Sequence, residues 1–306
     1  MKKNILLLIV FVGITSCSFI VKEQFLSEAA EFDNILGGKI LSDEINIVSV
    51  SGTGEIIEKK QVKEIKEKVS SSFVEIKETQ VMENQKILDV KFYSQFPSYD
   101  FGLPFDEFCE EASLLNGIYF LTNRTPTKKE YLIDLDKIKE IEDKLFGVNG
   151  YKNTSIKQTN LVLQLFQNPD YVDNYLNTKT EEEKEELMKY LIQKTKNRKG
   201  ILGKILYNPS INDLTSAIDK GNPVILPIYG RALNNKYFSQ PGPIYHNILL
   251  KGYDKDNFIV NEVGTIKGDS FSYSKKVIID NLHDYVVELY PDKYTLGDSK
   301  VLILYK

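Results

Sequence analysis

Two residues dominate the chemistry this chain can carry. Cys109 stands in Phe105-Asp106-Glu107-Phe108-Cys109-Glu110-Glu111-Ala112-Ser113-Leu114-Leu115, and it is the only cysteine beyond the first seventeen residues. His246, one of two histidines, opens the run His246-Asn247-Ile248-Leu249-Leu250-Lys251-Gly252-Tyr253-Asp254. The thiolate is the reactive form of a cysteine, and a helix N-terminus and an imidazole both favour it. The pair points to thiol acyl transfer, with Cys109 as nucleophile and His246 as the base that takes its proton and returns it to the leaving amine. A third group must orient the imidazole through its other ring nitrogen, and Asn261 and Glu262 are both candidates. Gln95 offers a side-chain amide to an oxyanion, beside the Cys109 N–H. Glu110 and Glu111 act in the opposite sense, since acids in the first helical turn oppose a thiolate. A cysteine among Phe108, Ala112 and Leu115 also fits the description of a small buried hydrophobe.

The elements around these residues follow from pattern and punctuation. Residues 87–93 read as a strand that ends at Ser94-Gln95-Phe96-Pro97, and a loop leads to the Cys109 helix with Asp106 as its N-cap. Residues 125–200 read as several helices. One covers Asp136–Phe146 and stops at Gly147, and Ser155–Phe166 is apolar at helical spacing. Thr180 with Glu183 forms a capping box ahead of Leu187, Leu191 and Ile192. Ser210 with Asp213 caps a further helix that ends at Gly221. Residues 223–229 form a buried-type strand. The His246 strand turns at Asp254-Lys255-Asp256-Asn257 into residues 258–262, and Val301–Tyr305 closes the sheet. Helices first and mainly antiparallel strands after them make an α+β layout.

With those elements laid out, Lys91-Phe92-Tyr93-Ser94-Gln95-Phe96-Pro97 and Cys109-Glu110-Glu111-Ala112-Ser113-Leu114-Leu115 resemble the opening of the C39-like cysteine peptidases, within the papain-like superfamily. Gly221-Asn222-Pro223-Val224-Ile225, the long loop from Gly230 to Pro243, Lys251-Gly252-Tyr253-Asp254 and Phe258-Ile259-Val260-Asn261-Glu262-Val263-Gly264-Thr265 follow the same pattern, over roughly residues 88–290. The resemblance implies a papain-like fold, with an N-terminal helix carrying the cysteine packed on a mainly antiparallel sheet that carries the histidine. It implies the oxyanion, nucleophile and base roles for Gln95, Cys109 and His246, and a peptide or protein substrate with no cofactor. Where the family has an Asp-Pro pair, this chain has Glu262-Val263. Glu262 keeps the carboxylate with one extra methylene, and Asn261 is the alternative, because a shift of register by one residue exchanges the side chain facing His246.

The N-terminus reads as a targeting signal. Met1-Lys2-Lys3 is basic, residues 5–14 are apolar, and Ile14-Thr15-Ser16-Cys17 resembles a bacterial lipobox, so residues 1–16 are expected to leave and Cys17 to carry a lipid. The alternative is a retained anchor, since residues 4–21 are uncharged. In either case the chain lies outside the cytoplasm, tethered to a membrane. Residues 17–87 read as a tether or small subdomain, and residues 88–306 as the peptidase domain, with a helical insertion at about 125–200. After cleavage 37 basic residues face 43 acidic ones, which argues against a nucleic-acid partner. Two histidines and one remaining cysteine do not make a zinc site. Asp254-Lys255-Asp256-Asn257 lacks the glycine and terminal glutamate of a calcium loop and reads as a hairpin turn. His283 reads as an ordinary helix or loop residue. The expectation is a tethered thiol hydrolase acting on peptide or amide bonds. Against it stand a binding lipoprotein with a decayed site and a transglutaminase-like acyl transferase, which would use the same residues with an amine acceptor.

Overall fold

Helices begin where the sequence supplies a cap. The computed structural model describes residues 85–306, so the readings of residues 1–84, including the leader, Cys17 and nearly all of the tether, lie outside the described residues. Thr127, Ser155, Thr180 and Ser210 each close a capping box, and the helices they start are α2 (Lys128–Phe146), α3 (Ile156–Phe166), α5 (Glu181–Asn197) and α6 (Ile211–Asp219). Each box satisfies backbone N–H groups that the first turn leaves without a helical partner. The helix of Cys109, α1 (Cys109–Thr122), differs. Its N-cap is Phe108, with no side-chain hydrogen bond, and Asp106 sits in a single 3-10 turn, Phe105–Glu107, ahead of it. The expected Asp106 cap is thus displaced, because the 3-10 turn separates that carboxylate from the helix start. Short α4 (Val172–Asn177) and α7 (Lys275–Asp280) complete the helices of the described region.

Seven strands form one antiparallel sheet: β1 (Lys86–Ile87), β2 (Leu202–Tyr207), β3 (Val224–Tyr229), β4 (Tyr245–Tyr253), β5 (Asn257–Asn261), β6 (Phe271–Ser274) and β7 (Lys300–Tyr305). Their order is β2-β7-β3-β4-β5-β6, with β1 on the far end of β4. All nine residues of β4 are buried, so both faces of this strand are covered. That is why it reads as an apolar run rather than an alternation. The architecture is α+β, as expected. The β4–β5 turn is the expected hairpin, with Asp254 Oδ1 accepting from the N–H groups of Asp256 and Asn257.

α1 lies directly on β4. Gly117 lets the same helix approach β7, where a Cβ would meet Leu304 Cδ1 at 2.4 Å. α2 and α3 are not peripheral, for Leu135, Ile138, Val162, Leu163 and Leu165 belong to the same core as the sheet residues Ile225, Leu249 and Leu302. Residues 88–93, expected as strand, run past the sheet without a ladder. Leu88 N–H donates to Lys251 O and Val90 N–H to Leu88 O, and side chains from distant segments satisfy other groups. Asn116 pairs with the N–H and C=O of Tyr93, Asn261 Nδ2 donates to Lys91 O, and Lys251 Nζ donates to Val90 O.

Candidate active site

The strand register decides which side chain can reach His246. Leu249 pairs with Asn261 across β4 and β5. Two residues on the same face of an antiparallel pair are opposite or diagonal neighbours. Asn261 therefore shares the face of Leu249 and Asn247, whereas Glu262, one residue on, falls on the face of His246. The contacts agree. His246 Nε2 lies 2.5 Å from Glu262 Oε1, while Asn261 Nδ2 bonds Asn116 Oδ1 at 2.9 Å and Lys91 O at 3.0 Å.

Glu262 is fully buried and held at both oxygens. Oε1 also accepts from Gly264 N–H at 3.1 Å, and Oε2 accepts from Tyr273 Oη at 2.8 Å. Asn235 Nδ2 donates to the same Tyr273 oxygen at 2.7 Å, and burial next to Glu262 keeps the Tyr273 phenol protonated far above its ordinary range. A carboxylate with this many donors needs no rearrangement to accept an imidazole N–H. Two further contacts fix the ring plane. Phe238 meets His246 edge to face at 5.3 Å between centroids. Gly264 passes so close that a Cβ would stand 2.7 Å from His246 Cε1. With Nε2 engaged, Nδ1 makes no hydrogen bond among the described residues, which leaves it as the nitrogen that a proton donor could use.

Cys109 is the first residue of α1 and is buried, packed with Ala112 and Val263. Val263 follows Glu262 directly, so the thiol lies at the same corner of the sheet as the His246–Glu262 pair. The sulfur is bonded elsewhere, however. Asn247 N–H donates to Sγ at 3.3 Å, and the thiol donates to Glu110 Oε2 at 2.9 Å. Ser113, one turn along α1, reaches Asn247 O, and Gly117 faces Leu249, so α1 packs on the face of β4 opposite to His246. Hence Sγ meets the main chain beside His246 and makes no hydrogen bond to the ring.

The thiol pKa also departs from the expectation that a helix start and an imidazole lower it. Burial first, then the Glu110 charge and hydrogen bond, then Glu111, push the Cys109 thiol well above its usual range, against a smaller opposing effect of the Asn247 N–H. Glu110 itself is raised to about 7 by burial, with the Cys109 and Thr154 hydrogen bonds pulling the other way. Behind it, Glu111 and Glu142 are each 1% exposed. Neither Glu111 oxygen has a hydrogen-bond partner among the described residues. Burial and the charge of Glu142 raise Glu111 well above the carboxylate range, and burial lifts Glu142 to about 8.

Gln95 bridges the two halves of the corner. Its N–H donates to Val263 O at 3.0 Å and its Nε2 to Phe105 O at 2.8 Å, four residues ahead of Cys109. One Nε2 hydrogen is left. Between Gln95 and Cys109 the chain exposes Tyr99, Phe101 and Leu103. His283 lies apart from the site, with Nδ1 near Gly297 O. Sequence reasoning missed Tyr273 and Asn235, which hold Glu262. The alternation in Phe271-Ser272-Tyr273-Ser274 could have placed Tyr273 on a strand, but nothing local connects it to Glu262.

Among the described residues no cluster of His, Cys, Asp and Glu is arranged to hold a metal ion, and no helix is long and apolar enough to cross a membrane. No curated protein matches the chain. One solved structure, of a C39-like peptidase candidate from Bacillus anthracis, aligns with 72% of this chain and 98% of its own length at 15% identity, with a TM-score of 0.38. Residues 87–278 match the Peptidase_C39 like family, well over half of the chain. The chain belongs to the Peptidase_C39 like family.

Proposed function

We propose that this protein is a cysteine peptidase that cleaves peptide or amide bonds through Cys109, His246 and Glu262. The observation that carries the reading is the His246 Nε2–Glu262 Oε1 pair at 2.5 Å, in which every oxygen of the acid is already committed. An orienter so held fixes the tautomer that leaves Nδ1 to accept a proton and stabilises the imidazolium that follows. In this mechanism the thiol proton passes to Nδ1 as sulfur bonds to the substrate carbonyl carbon. The Cys109 N–H, unused by its own helix, and the free Nε2 hydrogen of Gln95 hold the oxyanion. The imidazolium protonates the leaving amine as the C–N bond breaks. Water, deprotonated by His246, then displaces the thiol from the acyl-enzyme and restores it.

A second reading has its own support. The thiol bonds Glu110 rather than the imidazole, as in a binding protein that has kept the fold without the activity. Hydrolysis of a quenched-fluorescence peptide library separates the two. Turnover lost in both Cys109→Ser and His246→Ala supports the peptidase, and turnover that survives Cys109→Ser refutes it. Wild-type protein that binds peptides without cutting them favours the second reading. Transfer to an added primary amine in preference to water would mark an acyl transferase.

Tethering is the other part of the proposal. The basic and apolar leader with Ile14-Thr15-Ser16-Cys17 supports removal of residues 1–16, a lipid on Cys17 and a site outside the cytoplasm. A mature N-terminus other than Cys17 would overturn it.

A further inference from the structure

The acid next to the nucleophile is built in, rather than left over. Glu110 is 1% exposed and its carboxylate is fixed from the far side, where Thr154 N–H donates to Oε1 at 2.9 Å. Thr154 is itself held, since Tyr245 Oη donates to its carbonyl at 2.6 Å. Oε2 is left facing Sγ at 2.9 Å. The sulfur thus has one donor, Asn247 N–H, and one acceptor, Glu110, and both of its usual hydrogen-bonding capacities are filled without His246. A thiol that donates to a carboxylate is a thiol and not a thiolate.

We infer that Glu110 is a positioning residue that parks Cys109 in its protonated form, off the imidazole, and that breaking the Sγ–H···Oε2 bond is the step that arms the nucleophile. The inference rests on the proposed peptidase reading for Cys109 as nucleophile and His246 as its base. The charges facing Glu110 act in the same direction. Glu111 on α1 and Glu142 on α2 lie behind it, and Glu107 lies in the turn ahead. Tyr245 on β4 and Tyr285 and Tyr294 in the loop before β7 feel its charge, and no cation is among its main influences. His246, on the other face of β4, is the one base at this corner. Since burial lifts Glu110 to about 7, it changes charge near neutrality. Above that range it opposes the thiolate and accepts the thiol's hydrogen bond. Below that range the opposing charge is gone.

The test reads the thiol itself, so it does not depend on hydrolysis, and an unchanged midpoint in Glu110→Gln overturns the inference without touching the peptidase reading. In full-length protein carrying Cys17→Ser, Cys109 is the only thiol. Its second-order rate with iodoacetamide is measured against pH, with and without Glu110→Gln, which keeps an oxygen for the Thr154 N–H. The expected result is labelling at least about tenfold faster at neutral pH in Glu110→Gln, with the midpoint of the profile moved down by one unit or more, since each unit is a factor of ten in thiolate. Adding His246→Ala should remove the gain. An unchanged midpoint, a slower rate, or a gain that survives His246→Ala would overturn the inference. Should Glu110→Gln fail to fold, the Raman S–H stretch of protein with Glu110 intact decides. A band below that of a free thiol, moving with pH through neutrality, supports the parked state, and an unshifted, pH-independent band refutes it.

Discussion

Glu142→Gln should make the protein more stable at alkaline pH and leave it nearly unchanged in mild acid. Glu142 is buried against Glu111, and burial raises its pKa from 4.5 to about 8. A carboxyl with a raised native pKa binds more protons folded than unfolded between those two values. Stability is therefore lost as pH rises through the window from about 4.5 to 8, and the full cost is present above it. At 1.36 kcal/mol per unit, the shift corresponds to a cost on the order of 4–5 kcal/mol at pH above the window, an upper figure because water penetration and relaxation relieve buried charges. Against a typical total of about 5–15 kcal/mol this is large. Glutamine has nearly the same volume, carries no charge, and offers an N–H to the neighbouring Glu111. Urea unfolding at a series of pH values reads the effect, provided that the slope with denaturant stays constant. The wild-type midpoint should fall from pH 5 to about 8, and the variant should fall less, with a gap of about 2–4 kcal/mol that is complete above that range. Parallel curves for the two proteins would show that burial does not raise the Glu142 pKa.

The remaining predictions concern the imidazole. Glu262→Gln should lower turnover by roughly 10²–10⁴ with little change in substrate binding, since the interaction lost is one that strengthens in the transition state. Glu262→Asp should fall between the two proteins, because the shorter acid must stretch away from Tyr273 or from the ring. Asn261→Ala should leave the turnover of folded enzyme nearly intact and lower the melting temperature instead, because its amide holds Lys91 and Asn116 and not His246. Crippled turnover in folded Asn261→Ala would mean that the register has been misassigned. Gly264→Ala should push the imidazole away from Glu262, reducing turnover while circular dichroism stays native. Unaltered kinetics in that variant would show that the ring is not confined there.

Much of this fold could be read from sequence because its signals are local. The capping boxes at Ser155, Thr180 and Ser210 are short-range hydrogen-bond patterns, and they mark the starts of three helices. The apolar runs of β3, β4 and β7 stand out because both faces of the central sheet are covered. Two strands were not read. In β2, Leu202-Gly203-Lys204-Ile205-Leu206-Tyr207 has an irregular pattern with a glycine inside it, and β6 is only four residues long. Residues 88–93 read as strand because the pattern is right, but beyond the Leu88 N–H bond to Lys251 O they form no ladder, and Asn116, Asn261 and Lys251 side chains bond Tyr93, Lys91 and Val90. For the site, residue types were legible and pairings were not. Choosing Glu262 over Asn261 requires the β4–β5 register. The Glu110 contact required knowing that the thiol points inward, which depends on Thr154, forty-four residues away.

The position of β7 has a consequence for how the molecule is made. β2 has no ladder with β3, and the two are joined only through β7, which follows every other strand in the sequence. During synthesis the sheet therefore stays in two pieces until residues 300–305 have emerged. β4 and β5 can pair early, but β2, on which α3 and α5 pack, has no strand neighbour until then. A chain in this state has a gap in its middle rather than at its rim, and no partial product has a closed core. Assembly of the whole sheet therefore awaits residues 300–305, wherever the rest of the core has already formed.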